Sequence, residues 1–251
     1  MGKLVKKHLI IVSGWAVDEF VWEPICNLLS NEFEIGIVTW NKVQSLDDFK
    51  NSVIQLINEK KIEKFSIIGW SLGSLIAFDI GNDYSTRIEN MIIFSGTSKF
   101  IKDQSTDYEV GWDKKIVNRM ILRLNKNAEK TVEEFNRNLF SDREVKNGYY
   151  TSFADKTKIN ASIELLSLGL EYLMTKDMRE KIKNINNRVL LIHGEKDLIC
   201  PVESGAYLVE TIKNAQLMNL KETGHIPFYT KTNECYDIIK KYINQKEDHN
   251  D

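Results

Sequence analysis

Short apolar runs alternate along the chain with stretches in which apolar residues recur every three or four positions. Residues 8–12, 33–39, 65–69, 91–94, 189–192 and 216–220 are the strand candidates. Residues 20–30, 74–80, 202–212 and 231–243 have the helical period, and 45–60 is an amphipathic helix with Ser45 as its expected N-cap. Glycine punctuates the strand ends at Gly14, Gly96 and Gly194. Strand–helix alternation implies right-handed crossovers and hence an α/β fold built on a doubly wound, mostly parallel sheet. The alternation stops over 99–182, which is helical in pattern and lacks proline. That stretch is too long for a loop. The expected organisation is a core of 1–98 and 183–251 with an inserted helical cap at 99–182.

Size and charge narrow the function classes. The chain has 251 residues, 42% hydrophobic and 28% charged, with a net charge of −2. It can bury a core without disulfides or metals, and it shows no nucleic-acid footprint. The three cysteines have no C-x-x-C spacing, which argues against a disulfide framework and a zinc site and for a reducing cytoplasm. No apolar run reaches the ~20 residues of a membrane span. The basic start, residues 1–7, leads into an apolar run too short for a signal-peptide core, so it is assigned to the first strand. The polar end, residues 245–251, is expected to fray.

One motif carries chemistry. Gly69-Trp70-Ser71-Leu72-Gly73 is G-x-S-x-G between a buried strand and a buried helix. A serine on such a tight turn stands clear of the sheet, and glycines two residues to either side remove the crowding. The following helix points its free N–H groups at developing negative charge. A serine hydroxyl needs a base, and the chain has four histidines. His8 lies in a basic cluster, His249 in the tail, and His193 at the end of an apolar strand where a structural role is expected. His225, in Gly224-His225-Ile226-Pro227 after the last strand, is the candidate base. Asp197, after the preceding strand, is the candidate acid that orients it, with Glu195 the nearest rival. A helix cap or turn carboxylate is the alternative role for Asp197. The oxyanion hole is expected from the N–H groups of Leu72 and Trp15; the Trp15 ring either floors the acyl pocket as a substrate-binding residue or is mere packing. No metal or organic cofactor is required.

With these residues in place, the chain resembles the α/β-hydrolase superfamily over nearly its whole length. Within it, the resemblance is to the pimeloyl-[acyl-carrier protein] methyl ester esterases, the carboxylesterases of biotin synthesis. Gly14-Trp15, the Gly69–Gly73 elbow, Gly169-Leu170-Glu171 before Asp177-Met178-Arg179, and Gly224-His225-Ile226-Pro227-Phe228 carry it. The resemblance implies hydrolysis of an acyl methyl ester presented by acyl-carrier protein. It also implies that the cap residues Phe135, Asn136, Arg137, Asn138 and Leu139 border the acyl chain. The departures are Ser13 in place of the family's histidine, a short loop after Trp40, Ser74 in place of a third glycine, and an N-terminus without the superfamily's first strands.

A feature independent of the family bears on partners. Residues 114–126 hold Lys114, Lys115, Arg119, Arg123 and Lys126 and no acid. At ~100° per residue, Lys115, Arg119 and Arg123 share one face, opposite Ile116, Val117, Met120, Ile121 and Leu124. Such a stripe is either a solvated face or a dock for an acidic carrier protein. The leading expectation is a serine carboxylesterase. The alternatives are a general small-ester esterase, a lyase or synthase that uses the triad for proton abstraction, and a noncatalytic protein that keeps the fold.

Overall fold

The computed structural model describes residues 6–158 and 161–245. His249, the tail from 246 onward and most of the basic start lie outside the described residues. Six strands form one all-parallel sheet: β1 (Lys7–Val12), β2 (Phe33–Val38), β3 (Phe65–Trp70), β4 (Ile88–Phe94), β5 (Val189–Gly194) and β6 (Ala215–Leu220), in the order β2-β1-β3-β4-β5-β6. Every residue of β3 and β5 is buried, as continuous apolar runs in a sheet covered on both faces require.

The covering helices of the sheet are α1 (Glu23–Leu29), α2 (Asp48–Glu59), α3 (Leu72–Asp83), α10 (Val202–Thr211), α11 (Pro227–Thr230) and α12 (Thr232–Asn244). α3 is apolar nearly all round and is buried over its first ten residues, Leu72 to Gly81. Ser45 does not cap α2. Instead the Asp48 carboxylate, inside the helix, reaches back to the N–H groups of Gln44 and Ser45 at 3.0 and 2.8 Å. The helix begins at Asp48, directly after Asp47, and no side chain caps its first turn.

Between β4 and β5 the described residues form six α-helices: α4 (Lys114–Lys126), α5 (Ala128–Arg137), α6 (Asp142–Lys146), α7 (Tyr149–Ala154), α8 (Ile163–Thr175) and α9 (Arg179–Ile182). Asn127 ends α4 and caps α5, its side chain accepting from Lys130 N–H. The two ends of this segment are clasped together. Met178 N–H donates to Ser98 O at 2.7 Å, and Lys99 pairs with both Asp103 and Asp177, at 2.7 and 2.9 Å. Arg179 closes the cluster on the same two carboxylates at 2.8 and 2.7 Å.

Sheet order reverses between β1 and β3. β1 leads outward to β2, whereas β3 leads the other way to β4, so the loops after these two strands diverge and open a crevice at their carboxyl ends. Ser13-Gly14-Trp15 and the Gly69–Gly73 turn occupy that crevice.

The clasp makes the fold acid-sensitive in a definable window. Partial burial alone would raise the Asp177 carboxyl, but the Arg179 and Lys99 hydrogen bonds hold it at about 2. Hydrogen bonding to Lys99 also holds Asp103 well below the usual carboxylate range. A carboxyl depressed in the folded state stabilises fully above its unfolded value, about 4, and loses that contribution as pH falls toward the folded value. The melting temperature of Asp177→Asn is therefore expected to fall less between pH 4 and pH 2 than that of the wild type. Calorimetric scans of both proteins across that range check it.

Candidate active site

Ser71 sits at the turn from β3 to α3 with φ 55° and ψ −119°, a backbone conformation that L-residues rarely adopt. The strain is tolerated because the flanking glycines let the chain pack closely. A Cβ on Gly73 would lie 2.0 Å from Val12 O, and one on Gly69 would lie 2.8 Å from both Ala77 Cβ and Gly73 O. Ser74 is explained by this packing. Its hydroxyl donates to Ser71 O at 2.5 Å and accepts from Thr97 N–H at 3.2 Å, tying the turn to the segment leaving β4. Ser13 has a partner too, its Oγ accepting from Trp22 Nε1–H at 2.9 Å.

Asp197 and His225 meet after β5 and β6. His225 Nδ1 lies 2.8 Å from Asp197 Oδ2, and both side chains are wholly buried. A carboxylate acceptor fixes the proton on Nδ1 and leaves Nε2 with its lone pair. Nε2 is buried and has no partner among the described residues. Trp70, the residue before Ser71, donates from its indole to His225 O at 2.8 Å, and the two rings lie 5.6 Å apart. No hydrogen bond joins Ser71 Oγ to Nε2 in this state, and such bonds commonly tighten only with substrate.

His193 belongs to the same cluster. Its Nε2 is 2.7 Å from Cys200 O and 3.4 Å from Asp197 Oδ2, so Asp197 lies between two imidazoles. Asp197 Oδ1 accepts from the N–H groups of Ile199 and Cys200 at 2.8 and 2.9 Å. Burial alone would push this carboxyl up, but His225 and His193 hold it well below the usual range. Glu195 is exposed. Burial raises the Cys200 thiol far above its ordinary value, which leaves it inert.

Trp15 and Leu72 face a cavity of about 110 Å³, shared with Trp40, Phe49, Leu165 and Leu166. Trp15 is buried, donates from its indole to Leu166 O at 2.8 Å, and meets the Phe135 ring edge-on at 4.7 Å. No described residue accepts from the backbone N–H of Trp15 or Leu72. A second hollow of about 710 Å³ includes Asn136, Tyr150 and Phe153 and shares Lys158 and Ala161 with the first.

The other residues named from sequence are scattered. Arg137 turns to Asp142, 3.8 Å away, and to the Tyr150 ring; Asn138 is exposed; Leu139 is buried, its carbonyl accepting from His225 N–H at 2.7 Å. On α4, Lys115 and Arg119 are exposed, but Arg123 is ion-paired with Glu134. Ile116, expected on the buried side, is 45% exposed. α4 packs through Val117 and Leu124 alone at full burial, so its covered face is narrower than the apolar pattern suggests.

Among the described residues no group of histidine, cysteine or acid side chains could hold a metal, and no helix is long and apolar enough to cross a membrane. The family described as having the alpha/beta hydrolase fold matches residues 23–232. The chain belongs to the α/β-hydrolase fold family. Curated relatives of this α/β-hydrolase include the pimeloyl-[acyl-carrier protein] methyl ester esterase of Wigglesworthia glossinidia brevipalpis, 29% identical over 94% of this chain and 93% of that one. Another is the enzyme of the same name from Legionella pneumophila, 25% identical over 94% of both chains. Among solved structures, a bromoperoxidase from Bacillus anthracis superposes with a TM-score of 0.83 at 19% identity, covering 96% of this chain and 92% of that one. An esterase from Exiguobacterium antarcticum gives 0.79 at 18% identity, covering 95% and 92%. At these identities the structures speak for the fold alone. With the esterase names of its curated relatives, the fold makes this α/β-hydrolase an enzyme of the carboxylic ester hydrolase class.

Gly169 tests the cavity wall. Replacing a helical glycine by alanine ordinarily stabilises by about 1 kcal/mol. Here the new Cβ would meet Trp15 Cδ1 at 2.5 Å and Nε1 at 3.0 Å, so the ring or the helix must shift, straining the ring's bond to Leu166 O. Gly169→Ala is expected to lower stability in urea melts and to alter tryptophan fluorescence.

Proposed function

We propose that this enzyme is a serine carboxylesterase that hydrolyses the methyl ester of pimeloyl-acyl-carrier protein in biotin synthesis. The observation that carries the chemistry is the 2.8 Å bond from His225 Nδ1 to Asp197, which leaves a buried Nε2 with no partner among the described residues, on a histidine whose carbonyl accepts from Trp70, the residue before Ser71. The names of the curated relatives support the substrate.

In this reading, Ser71 Oγ attacks the ester carbonyl while His225 Nε2 takes its proton. The carbonyl oxygen becomes an oxyanion held by the N–H groups of Leu72 and Trp15. The C–O bond breaks, His225 returns the proton to the leaving methoxide, and methanol departs. Water then attacks the acyl-Ser71 ester, giving its proton to His225, and the free carboxylate leaves as Ser71 regains its hydroxyl. Asp197 keeps His225 in the required tautomer throughout. The segment 99–182 acts as a cap, with Phe135 against the Trp15 ring. Acyl-carrier protein, an acidic partner, docks on the exposed Lys115 and Arg119, with the Glu134-paired Arg123 at the margin of that face.

Ser71→Ala should lower kcat for p-nitrophenyl butyrate by on the order of 10⁴-fold with the fold intact by circular dichroism. Asp197→Asn should be crippled as well, because an amide favours the wrong tautomer of His225, and Glu195→Gln should not. Full activity in Ser71→Ala, or loss in Glu195→Gln alone, contradicts the assignment.

Carrier docking has its own readout. Lys115→Glu with Arg119→Glu should lower kcat/KM for a carrier-bound ester and leave a free small ester unaffected. The loss should shrink as salt rises, since exposed charges are screened over ~10 Å at 0.1 M. Equal losses on both substrates would mean damage to the helical segment instead.

A further inference from the structure

The loop that carries His225 is held from outside the sheet. His225 N–H donates to Leu139 O at 2.7 Å, Gly224 N–H to Glu144 Oε2 at 2.9 Å, and Ser141 Oγ–H to Glu222 O at 2.7 Å. Three residues of one loop are thus bonded to the turn between α5 and α6 and to α6 itself. Glu222 has φ 57°, so the loop is bent into a conformation it would not hold unaided.

Glu144, in the first turn of α6, ties these bonds together. It closes a capping box with Ser141: Glu144 Oε2 accepts from Ser141 N–H at 2.8 Å, and Glu144 N–H donates to Ser141 Oγ at 3.2 Å. A capping box on a five-residue surface helix is normally wet. This carboxylate is only 4% exposed, and the same oxygen that caps α6 also takes Gly224 N–H. Burying a carboxylate is expensive unless hydrogen bonds answer it, and here only Oε2 is answered, by two N–H groups, while Oε1 is buried with no partner among the described residues. The approach is close: a Cβ on Gly224 would lie 2.5 Å from Leu139 O, 2.8 Å from Ser141 N and 3.0 Å from Glu144 Oε2. Only glycine lets the backbone lie against the carboxylate there.

We infer that Glu144 is a positioning residue for the hydrolysis, acting through the Gly224 N–H to fix where His225 Nε2 points. This rests on the reading of His225 as the base. Glu144 touches no reacting atom. It anchors the peptide immediately before His225, while Asp197 anchors the ring, and together the two determine the direction of the Nε2 lone pair. The requirement is one oxygen accepting two N–H groups, not a charge.

The test compares Glu144→Ala, Glu144→Asp and Glu144→Gln with His225→Ala, using p-nitrophenyl butyrate and active sites counted by complete fluorophosphonate labelling. Displacement of a catalytic group by about 1 Å can reduce rate about 100-fold. Glu144→Ala and Glu144→Asp should therefore lose about 10- to 100-fold in kcat per labelled site, with KM within about twofold of wild type. Glu144→Gln keeps an oxygen at the right reach and should stay within about threefold. A merely structural brace would lower the melting temperature and the number of labelled sites but not kcat per site, and that result overturns the inference. Glu144→Gln as impaired as Glu144→Ala overturns it as well. Wild-type turnover by His225→Ala would overturn the base assignment and the positioning role together. An inactive His225→Ala beside a fully active Glu144→Ala overturns the positioning role alone.

Discussion

The Asp197 carboxylate is the point on which the site depends. Its side chain is wholly buried, and each oxygen is committed: Oδ1 to two backbone N–H groups, Oδ2 to the two imidazoles. An anion withdrawn from water is stable only with such a shell, so the loop after β5 has essentially one conformation that it can adopt. That conformation places Oδ2 under His225 and fixes its tautomer. The depressed pKa of Asp197 and the bare Nε2 of His225 are two consequences of the same arrangement. His193, which looked purely structural in the sequence, completes the shell from the strand end.

The helices between β4 and β5 complete the geometry that the sheet begins. The loops after β1, β5 and β6 are each hydrogen-bonded to this segment. Trp15 donates to Leu166 O, His225 to Leu139 O, and from the other side Trp112 donates to Ile199 O at 2.7 Å, next to Asp197. The sheet brings the loops to one edge, and these bonds set their final angles. The strained φ values at Ser71 and Glu222 persist because both neighbourhoods are over-determined in this way.

Much of this was legible in the sequence because it is local. The six strands were visible as apolar runs, and the elbow could be recognised from five consecutive residues. The pairing of Asp197 with His225 followed from both lying just past a strand, which in a parallel sheet means the same edge. Ser45 misled because the helix starts three residues later, at Asp48, whose carboxylate accepts from the Ser45 N–H rather than the Ser45 hydroxyl accepting from the helix. Ile116 and Arg123 misled for a different reason. Helical periodicity tells which residues share a face but not how wide a strip the neighbouring helices cover, nor that α5 would offer Glu134 to Arg123. Glu144 was present as the S-x-x-E signature of Ser141 to Glu144, yet nothing local says that this carboxylate is buried against residue 224, 80 positions away.

The shared hydrogen bonds also define what can be exchanged between such enzymes. Chain order suggests cutting at the ionic clasp, where Lys99 and Asp177 meet, and grafting the helical segment as a cassette to change substrate range. The bonds from Leu139, Ser141 and Glu144 to residues 222, 224 and 225 cross that cut. A transplanted segment would arrive without the loop it is fitted to, and the host loop would lose the acceptors that shape it. The helices and the few residues after β6 that they hold therefore form one structural unit that is discontinuous in sequence.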